Sequence, residues 1–319
     1  MTKQHPARAL CERLEIELPV VQGGMTFGSD ARLVIAVSNA GGLGTLGTFH
    51  YRTHEQIVAE VEAIRAGTSR PFAVNVPFFE QSEPLVERLA LEAGVRCFTL
   101  GGWYSARVAE LREQLGLTIL VSVNAPTVAR MVLDRPLDVL IVQGNESGGA
   151  NGAFTTRQLF ELLRPSTDAP ILLAGGQWDG FDLRDALARG AAGIQLGTRF
   201  LFAAESPLHP TIKQQVLSHN LKRPLTTTLT AVKDTLNMRF VANKAYRQAE
   251  KAQTIPEIFQ DKEQVFALSE AFFAAQEKPV LLYAGTGLYK LRAIQPCAEI
   301  LAEVRRDYAA SNAAELPAF

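Results

Sequence analysis

The sequence has little cysteine, and its three residues, Cys11, Cys97 and Cys297, are far apart. Their odd number and their spacing argue against a disulfide framework or a metal site and indicate a reducing, cytoplasmic setting. No apolar run has the length needed to span a bilayer, and the N-terminal segment lacks a secretory core. A net charge of −1 gives no reason to expect nucleic acid or an anionic membrane as a partner.

What the sequence does contain is a repeat of short apolar runs, most of which end in glycine or a small polar residue. Helix-like segments separate most of these runs, and this alternation predicts a closed parallel α/β barrel of the TIM (β/α)8 type. The eight runs are Pro19–Gly24, Gly42–Gly47, Pro71–Val76, Cys97–Gly101, Thr118–Val123, Val139–Gly144, Ile171–Gly176 and Gly193–Thr198.

The alternation changes after Phe202, where helical segments follow without a convincing succession of strands. We therefore predict a barrel formed by residues 1–204 and 279–319, with residues 205–278 as a helical insertion after the eighth strand. A final amphipathic helix through Arg305 would close the barrel as its eighth outer helix. Helices are expected at Pro210–Asn220, Ala242–Ala252 and Val265–Gln276 in the insertion.

Two glycine turns follow the seventh and eighth runs, where barrels of this type commonly bind a phosphate. Gly175 and Gly176 end one run, and Gly197 with Thr198 ends the other. Backbone N–H groups approach an anion closely only where no Cβ intervenes, and a threonine hydroxyl adds a donor. We favour a phosphate site over the alternative that these glycines only turn the chain.

The loop after the sixth run, from Gln143 to Gly152, is the next candidate. Gln143 offers both a donor and an acceptor to the edge of a heterocycle, and Gly148 and Gly149 would let the backbone pass close to a flat ring. Glu146 is either a base or an acceptor that orders the loop, and we favour the second role.

Other candidates lie at the ends of the first four runs. Gly24 and Met25 follow the first run, and backbone contact with a cofactor is expected there. Asn75 is an amide within an apolar run, so either a ligand edge or a structural network must satisfy it. His50 is the one histidine that the pattern places near the strand ends, and Tyr104 either lines a substrate pocket or packs in the core.

Several motifs together resemble the nitronate monooxygenase family, also known as the 2-nitropropane dioxygenases. The resemblance runs from Leu14 to Val304. It is carried by PVVQGGM, AVNVP, VQGNESGG, LLAGGQWD, GIQLGTRFLFAAESPLHPTIK and AGTGLYKL. It implies a TIM barrel, non-covalent FMN, a small-molecule substrate and a helical region near the active site.

The resemblance also implies a role for particular residues. Gly175, Gly176, Gly197 and Thr198 would hold the FMN phosphate. Met25, Asn75, Gln143 and Gly149 would contact the isoalloxazine ring or the ribityl chain, and Ser122 is a further expected contact. Gly24 and Gly148 are also expected among the cofactor-binding residues. No metal is expected.

One position departs from the family pattern. Members typically carry a histidine directly after the two glycines of the sixth loop, whereas this chain has Ala150. That histidine is thought to move a proton near the flavin, so its role is vacant here or belongs to Glu146, His50, Tyr104 or water. A nitronate is already a carbanion and does not need this base, so FMN-dependent oxidation of a nitronate by dioxygen is the first expectation. The alternatives are an NAD(P)H-dependent reductase of a quinone or an enoyl thioester, and a flavin-binding protein with impaired catalysis.

Overall fold

The computed structural model describes residues 5–78, 82–233, 236–255, 262–274 and 281–311, together with 317 and 319. Its main sheet has eight parallel strands, which pair in sequence order around the sheet, and Val21 bridges Leu43 between the last pair. The sheet is therefore closed, and the predicted TIM barrel is confirmed. The strands are Val20–Gln22, Gly44–Gly47, Phe72–Pro77, Cys97–Gly101, Thr118–Val123, Val139–Gln143, Ile171–Ala174 and Gly193–Leu196.

The junction between the first and second strands needs help from a side chain because the first strand has only three residues. The backbone N–H of Gln22 donates to the carbonyl of Leu43 over 2.9 Å. The buried Gln22 side chain then accepts from the N–H of Thr45 at 2.8 Å. The amide side chain thus supplies a bond that a longer strand would supply through its backbone, and it pairs the buried backbone N–H of Thr45.

Eight outer helices surround the barrel, and several of them begin at a side chain that caps the first turn. Asp30 accepts from the N–H of Leu33, and Thr53 forms a capping box with Gln56. The last helix packs on the one that precedes the eighth strand, as predicted. These helices are Ala31–Asn39, His54–Gly67, Ser82–Leu91, Ala106–Leu115, Pro126–Val132, Thr156–Leu163, Gly180–Ala188 and Cys297–Ala310.

The barrel interior has an apolar layer and, above it, a polar layer. The apolar layer includes Leu120, Ile141 and Leu172, and the N-terminal helix Pro6–Leu14 contributes Leu10 to this cluster. Side chains two residues apart on a strand share a face. Ser122 and Gln143 lie two residues after Leu120 and Ile141, so they point to the same interior face nearer the carboxyl ends of the strands. The polar layer there consists of Asn75, Thr99, Ser122, Gln143 and Gln195.

The insertion after the eighth strand contains helices, but it also contains strands that the sequence pattern does not predict. Thr227–Lys233 and Leu236–Val241 form an antiparallel hairpin. The second of these strands pairs with Gly149–Asn151 from the loop after the sixth barrel strand. We call these three strands the cap sheet. Its third strand comes from a distant part of the chain, so local periodicity does not reveal it.

The helices of the insertion lie close to their predicted positions. Among the described residues they are Pro210–Lys222, Lys244–Lys251 and Lys262–Phe273. A short helix that the sequence pattern does not predict, Thr198–Leu201, directly follows the eighth strand and precedes the insertion. The predicted end of the last helix at Gln276 and the predicted domain boundary at residue 279 lie outside the described residues. Within the described part of the chain, no helix is long and apolar enough to cross a membrane.

Candidate active site

The two glycine turns expected to bind phosphate start side by side. Ala174 on the seventh strand pairs with Gln195 on the eighth, so the loops that follow both strands leave the barrel together. Gly175 and Gly176 have φ values of +110° and +73°, in the left-handed region that favours glycine. Gly197 caps the short helix that begins at Thr198. The fold thus brings together the four residues that the sequence pattern predicts for a phosphate.

Some of the predicted cofactor-binding glycines are required by packing within the protein. A Cβ on Gly24 would overlap the side chain of Asn75, and a Cβ on Gly148 would lie 2.8 Å from the backbone of Ala284. A Cβ on Gly175 would lie 2.8 Å from the hydroxyls of Ser147 and Thr156. These three positions therefore need glycine whether or not a ligand is bound.

Two other glycines border space that the protein does not fill. A Cβ on Gly197 would have one near neighbour among the described residues, the Sδ atom of Met25 at 4.0 Å. A Cβ on Gly149, whose φ is +75°, would meet no described atom within 4 Å. Contacts among the described residues therefore do not explain why position 197 is glycine, and its backbone borders open space.

Thr198 is hydrogen-bonded to the segment that follows the insertion, which contains Gly285 and Thr286 and is called the return segment. Its Oγ1 atom accepts from the N–H of Gly285 at 2.8 Å, and its own O–H can still donate to an anion. The next residue, Thr286, donates its N–H to the carbonyl of Glu146 at 2.8 Å. The return segment thereby links the eighth strand to the loop after the sixth, a role that local sequence patterns do not reveal.

The loop after the sixth strand is ordered by Glu146. Its Oε2 atom accepts from the backbone N–H of Thr156 at 2.9 Å and lies 2.9 Å from the Thr156 hydroxyl. This is the arrangement of a loop-ordering carboxylate.

The polar layer fixes the orientation of its amide side chains. Asn75 donates to the hydroxyl of Thr99 at 2.9 Å. Ser122 donates to Oε1 of Gln143 at 3.1 Å, and Nε2 of Gln143 donates to the carbonyl of Ala150 at 2.7 Å. The sequence predicts that Asn75, Ser122 and Gln143 contact a cofactor, and all three lie in this one layer at the carboxyl ends of the strands.

Gln195 belongs to the same layer and is missing from the residues predicted from sequence. A Cβ on Gly23 would lie 3.3 Å from its Nε2 atom, so this side chain extends over the end of the first strand. The signal that identifies Gln195 is a polar residue inside an otherwise apolar run, as for Asn75.

Met25 follows the first barrel strand, and its carbonyl accepts from the N–H of Gly28 and the hydroxyl of Ser29, both at 3.1 Å.

Ala150 lies at the centre of the short cap strand Gly149–Asn151, opposite Met238. Its side chain is exposed and carries no titratable group. The next side chain, Asn151, is fully buried and donates to the carbonyl of Ser147 at 2.7 Å. The residue after the two glycines therefore supplies backbone pairing to the cap but no acid or base.

His50 is partly buried within a row of rings. It lies 4.0 Å from Tyr51 and 6.3 Å from Phe27, measured between ring centroids. Burial lowers the pKa of His50 to about 4, although a hydrogen bond with the backbone of Thr26 acts in the opposite direction. The imidazole is therefore neutral near pH 7 and is a poor proton donor.

Tyr104 is directed away from the strand ends. Its hydroxyl donates at 2.9 Å to the carbonyl of Pro136, which precedes the sixth strand, and burial raises the pKa of Tyr104 to about 12. Its neighbour Trp103 donates to the carbonyl of Val76 at 2.9 Å. Both residues pack in the core, which is the second of the two roles left open for Tyr104.

A buried lysine supports the turn that carries Thr198. The ammonium of Lys213 donates to the carbonyls of Ala203 at 2.6 Å, Ser206 at 2.9 Å and Ala204 at 3.1 Å. Burial lowers the pKa of Lys213 to about 8. The short helix that begins at Thr198 thus has its far end fixed by a desolvated cation. Among the described residues, no group of His, Cys, Asp or Glu is arranged to hold a metal ion.

Comparison with known proteins agrees with a TIM-barrel oxidoreductase. The profile of the nitronate monooxygenase family matches residues 7–90 and 86–307, and the chain therefore belongs to that family. A probable nitronate monooxygenase of Bacillus subtilis is 27% identical over 326 residues, which cover 88% of this chain and 93% of the relative.

A second relative is named as a dehydrogenase and not as a nitronate monooxygenase. The (3aS,4S,5R,7aS)-5-hydroxy-7a-methyl-1-oxo-octahydro-1H-indene-4-carboxyl-CoA dehydrogenase of Mycobacterium tuberculosis is 34% identical over 222 residues. The match covers 69% of this chain but only 62% of that relative's length. The solved structure of FabK from Thermotoga maritima superposes with a TM-score of 0.82 at 27% identity, covering 95% of this chain and 96% of FabK.

Proposed function

We propose that this protein binds FMN, with the phosphate held between the loops after the seventh and eighth barrel strands. The open space beside Gly197, the left-handed Gly176 and the remaining donor of Thr198 support this position. Both loops begin on neighbouring strands, so backbone N–H groups from the two loops would be available to one anion. The flavin would supply the electron transfer, and the protein would supply binding, orientation and exclusion of water.

The polar layer and the sixth loop would orient the flavin ring. Gln143 is held by Ser122 and by the carbonyl of Ala150, so its amide cannot rotate freely. Gly149 leaves open space above the backbone, which suits the close approach of a flat ring. Met25 lies between the first strand and Gly197, beside the expected phosphate end.

The reaction that this site supports best is the oxidation of a small carbanionic substrate, such as an alkyl nitronate, with dioxygen. The observation that carries this proposal is Ala150, which provides no base beside the cap strand. Of the three side chains considered as replacements, Glu146 orders its loop, Tyr104 packs in the core and His50 is partly buried among rings. A positioned base contributes about 10²–10⁴-fold to proton abstraction, and a nitronate does not require that step.

The test measures how fast two forms of one substrate bleach the flavin of the purified protein under anaerobic conditions. Ethyl nitronate should bleach the flavin at least about 10²-fold faster than neutral nitroethane does. Equal rates for the two forms would contradict the proposal, because they would require a base that removes the proton from nitroethane. A protein that neither purifies with FMN nor binds added FMN would contradict the cofactor assignment.

A second candidate is an NAD(P)H-dependent flavin reductase that acts on a thioester. The relative named as a carboxyl-CoA dehydrogenase favours this candidate over a quinone reductase. Rapid anaerobic bleaching by NADH or NADPH, without bleaching by a nitronate, would support the reductase. Bleaching by neither class would support a flavin-binding protein without this chemistry.

A further inference from the structure

Positive charge is concentrated in one part of the cap. Residues 222–251 contain seven lysines and arginines and two acidic residues, although the whole chain has a net charge of −1. This segment contains the hairpin of the cap sheet and the helix Lys244–Lys251 that follows it. The excess charge therefore belongs to one structural unit and is not spread over the surface.

The helix Lys244–Lys251 has an inner and an outer face. Tyr246 is buried, lies 5.8 Å from the ring of Phe240 and has its hydroxyl 2.8 Å from that of Thr230. Lys244, Arg247 and Lys251 are spaced by three and four residues and are all exposed. Residues with this spacing lie on one side of a helix, so the three cations form a stripe that faces away from Tyr246.

A fourth cation lies at the same end of the hairpin as this stripe. The N–H of Ala242 donates to the carbonyl of Thr226 at 2.9 Å, so the chain before the first cap strand runs beside the chain after the second. Arg223 shortly precedes this point, Lys244 shortly follows it, and both side chains are exposed. We call Arg223, Lys244, Arg247 and Lys251 the basic face.

These cations differ from many exposed arginines of the barrel, which have a carboxylate neighbour. Arg70, for example, lies 2.8 Å from Glu17, and Arg157 lies 2.7 Å from Glu161. Across the ranges that the structure describes, no carboxylate lies within 4.0 Å of a cation of the basic face. Neighbouring cations without counter-charges raise the local potential and attract a polyanion.

The basic face is attached to the rim of the barrel mouth. Phe240 lies 5.3 Å from Tyr283, and Tyr283 lies 6.1 Å from Phe27 in the loop after the first strand. The cap sheet also includes Gly149–Asn151 from the loop after the sixth strand. A ligand on the basic face would therefore be anchored to the same unit that borders the expected flavin site.

We propose that the basic face binds the phosphates of a coenzyme A thioester, whose acyl group then reaches the barrel mouth. The inference rests on the thioester candidate of the proposed function. Coenzyme A carries three phosphates at one end of a flexible, uncharged arm, whereas an alkyl nitronate has a single charge at its reacting group. The stripe from Lys244 to Lys251 spans about 10 Å of helix, which suits spread phosphates better than one anion.

The test uses the flavin-loaded protein and free coenzyme A as the probe, titrated by calorimetry at two salt concentrations. The variant Lys244→Glu/Arg247→Glu/Lys251→Glu should bind coenzyme A about tenfold or more weakly. The control Arg8→Glu/Arg130→Glu/Arg189→Glu changes the net charge equally at three exposed barrel positions and should stay within about twofold of the parent. Added salt should weaken binding to the parent more than binding to the cap variant.

The outcomes separate this inference from the proposed function. Unchanged affinity in the cap variant, or equal loss in the control, would refute a local phosphate site. If only flavin bleaching by NADPH slowed while coenzyme A binding held, the face would belong to the nicotinamide nucleotide and the proposal would be wrong. The single variant Arg247→Glu gives the same test if the triple variant does not fold. Bleaching by neither nitronate nor NAD(P)H would count against the reactions in the proposed function, and the coenzyme A titration of the flavin-loaded protein would still be readable.

Discussion

The two parts of the candidate site are built in different ways. At the seventh and eighth strands, two glycine turns leave neighbouring strands, and Thr198 is bonded to Gly285. At the sixth strand, the loop becomes an edge of the cap sheet, and Ala150 presents no titratable group. In the proposed function, the barrel itself would bind the cofactor, whereas the choice of substrate would depend on the cap and on the exposed position of Ala150.

The largest effect is expected at Lys213, which supports the phosphate side. Lys213→Met keeps the length of the side chain but leaves three carbonyls without their buried donor. We expect a loss of about 3 kcal/mol in the free energy of unfolding, together with weaker FMN binding. Chemical denaturation of the apoprotein and the flavin content of the purified protein measure the two effects. A variant as stable as the parent, with full flavin content, would show that the ammonium supports neither.

Lys213 also predicts a pH dependence. Its folded-state pKa is lowered by burial to about 8, from 10.5 in the unfolded chain. The folded state therefore binds the proton less tightly, and this group's contribution to stability grows as pH rises from about 8 to 10.5 and is lost as pH falls through 8. Denaturation between pH 7 and 10.5 should show this rise in the parent relative to Lys213→Met. Parallel stability profiles for the two proteins would contradict a lowered pKa.

The next effect concerns the sixth loop. Ala150→His places a titratable group at the exposed centre of the cap strand, without disturbing a buried contact. We expect turnover of neutral nitroethane to rise by about 10²-fold, with little change for ethyl nitronate. The matched variant Ala150→Gln adds a similar volume without a base and should give no gain. If glutamine raised nitroethane turnover as much as histidine, the effect would be one of packing and not of proton transfer.

A smaller effect separates the two kinds of glycine. Gly197→Ala adds a Cβ in open space, so the apoprotein should melt within about 2 °C of the parent while FMN affinity falls about tenfold. Gly24→Ala would collide with Asn75 and should instead destabilise the fold by about 1–3 kcal/mol. Melting curves of both variants measure the change in stability, and flavin titrations measure the change in FMN affinity. A lower melting temperature for apo Gly197→Ala would indicate that the space is filled by protein.

The smallest effect is expected at Arg52, in the loop after the second strand, where that loop contacts the insertion. Arg52 contacts Glu263 at 3.1 Å and lies 4.5 Å from the ring of Phe266, but it is half-exposed. Arg52→Ala should leave the melting temperature nearly unchanged and accelerate amide hydrogen exchange in residues 262–274. Unchanged exchange there would show that this arginine does not hold the helix to the rim.

Much of the barrel could be predicted from the sequence because its signals are local. Each strand lies in a short apolar run, most of these runs end in glycine or a polar residue, and several helices begin at a side chain that caps them. Asp30, Thr53 and Asp179 all accept the expected backbone N–H groups. The glycine turns after the seventh and eighth strands could be placed together because consecutive strands of a barrel are neighbours.

The cap and several site contacts could not be predicted in this way. The edge formed by Gly149–Asn151 and Leu236–Val241 joins segments that are distant in sequence. The support from Lys213 and the bond between Gly285 and Thr198 likewise depend on contacts between separate elements. A polar residue such as Gln195 shows its importance only when the barrel places it in a layer with Asn75 and Gln143.

By itself, the sequence determined the repeat of strands and helices, their caps and the glycine turns, since these depend on side-chain periodicity and backbone freedom within a few residues. Only the tertiary structure decided at which glycines neighbouring protein atoms would fill the Cβ position and which glycines border open space. It also decided where Tyr104 points and that the insertion adds a sheet above the barrel. Those outcomes depend on which distant side chains fill a given volume, and packing of that kind is settled only when the whole chain has closed on itself.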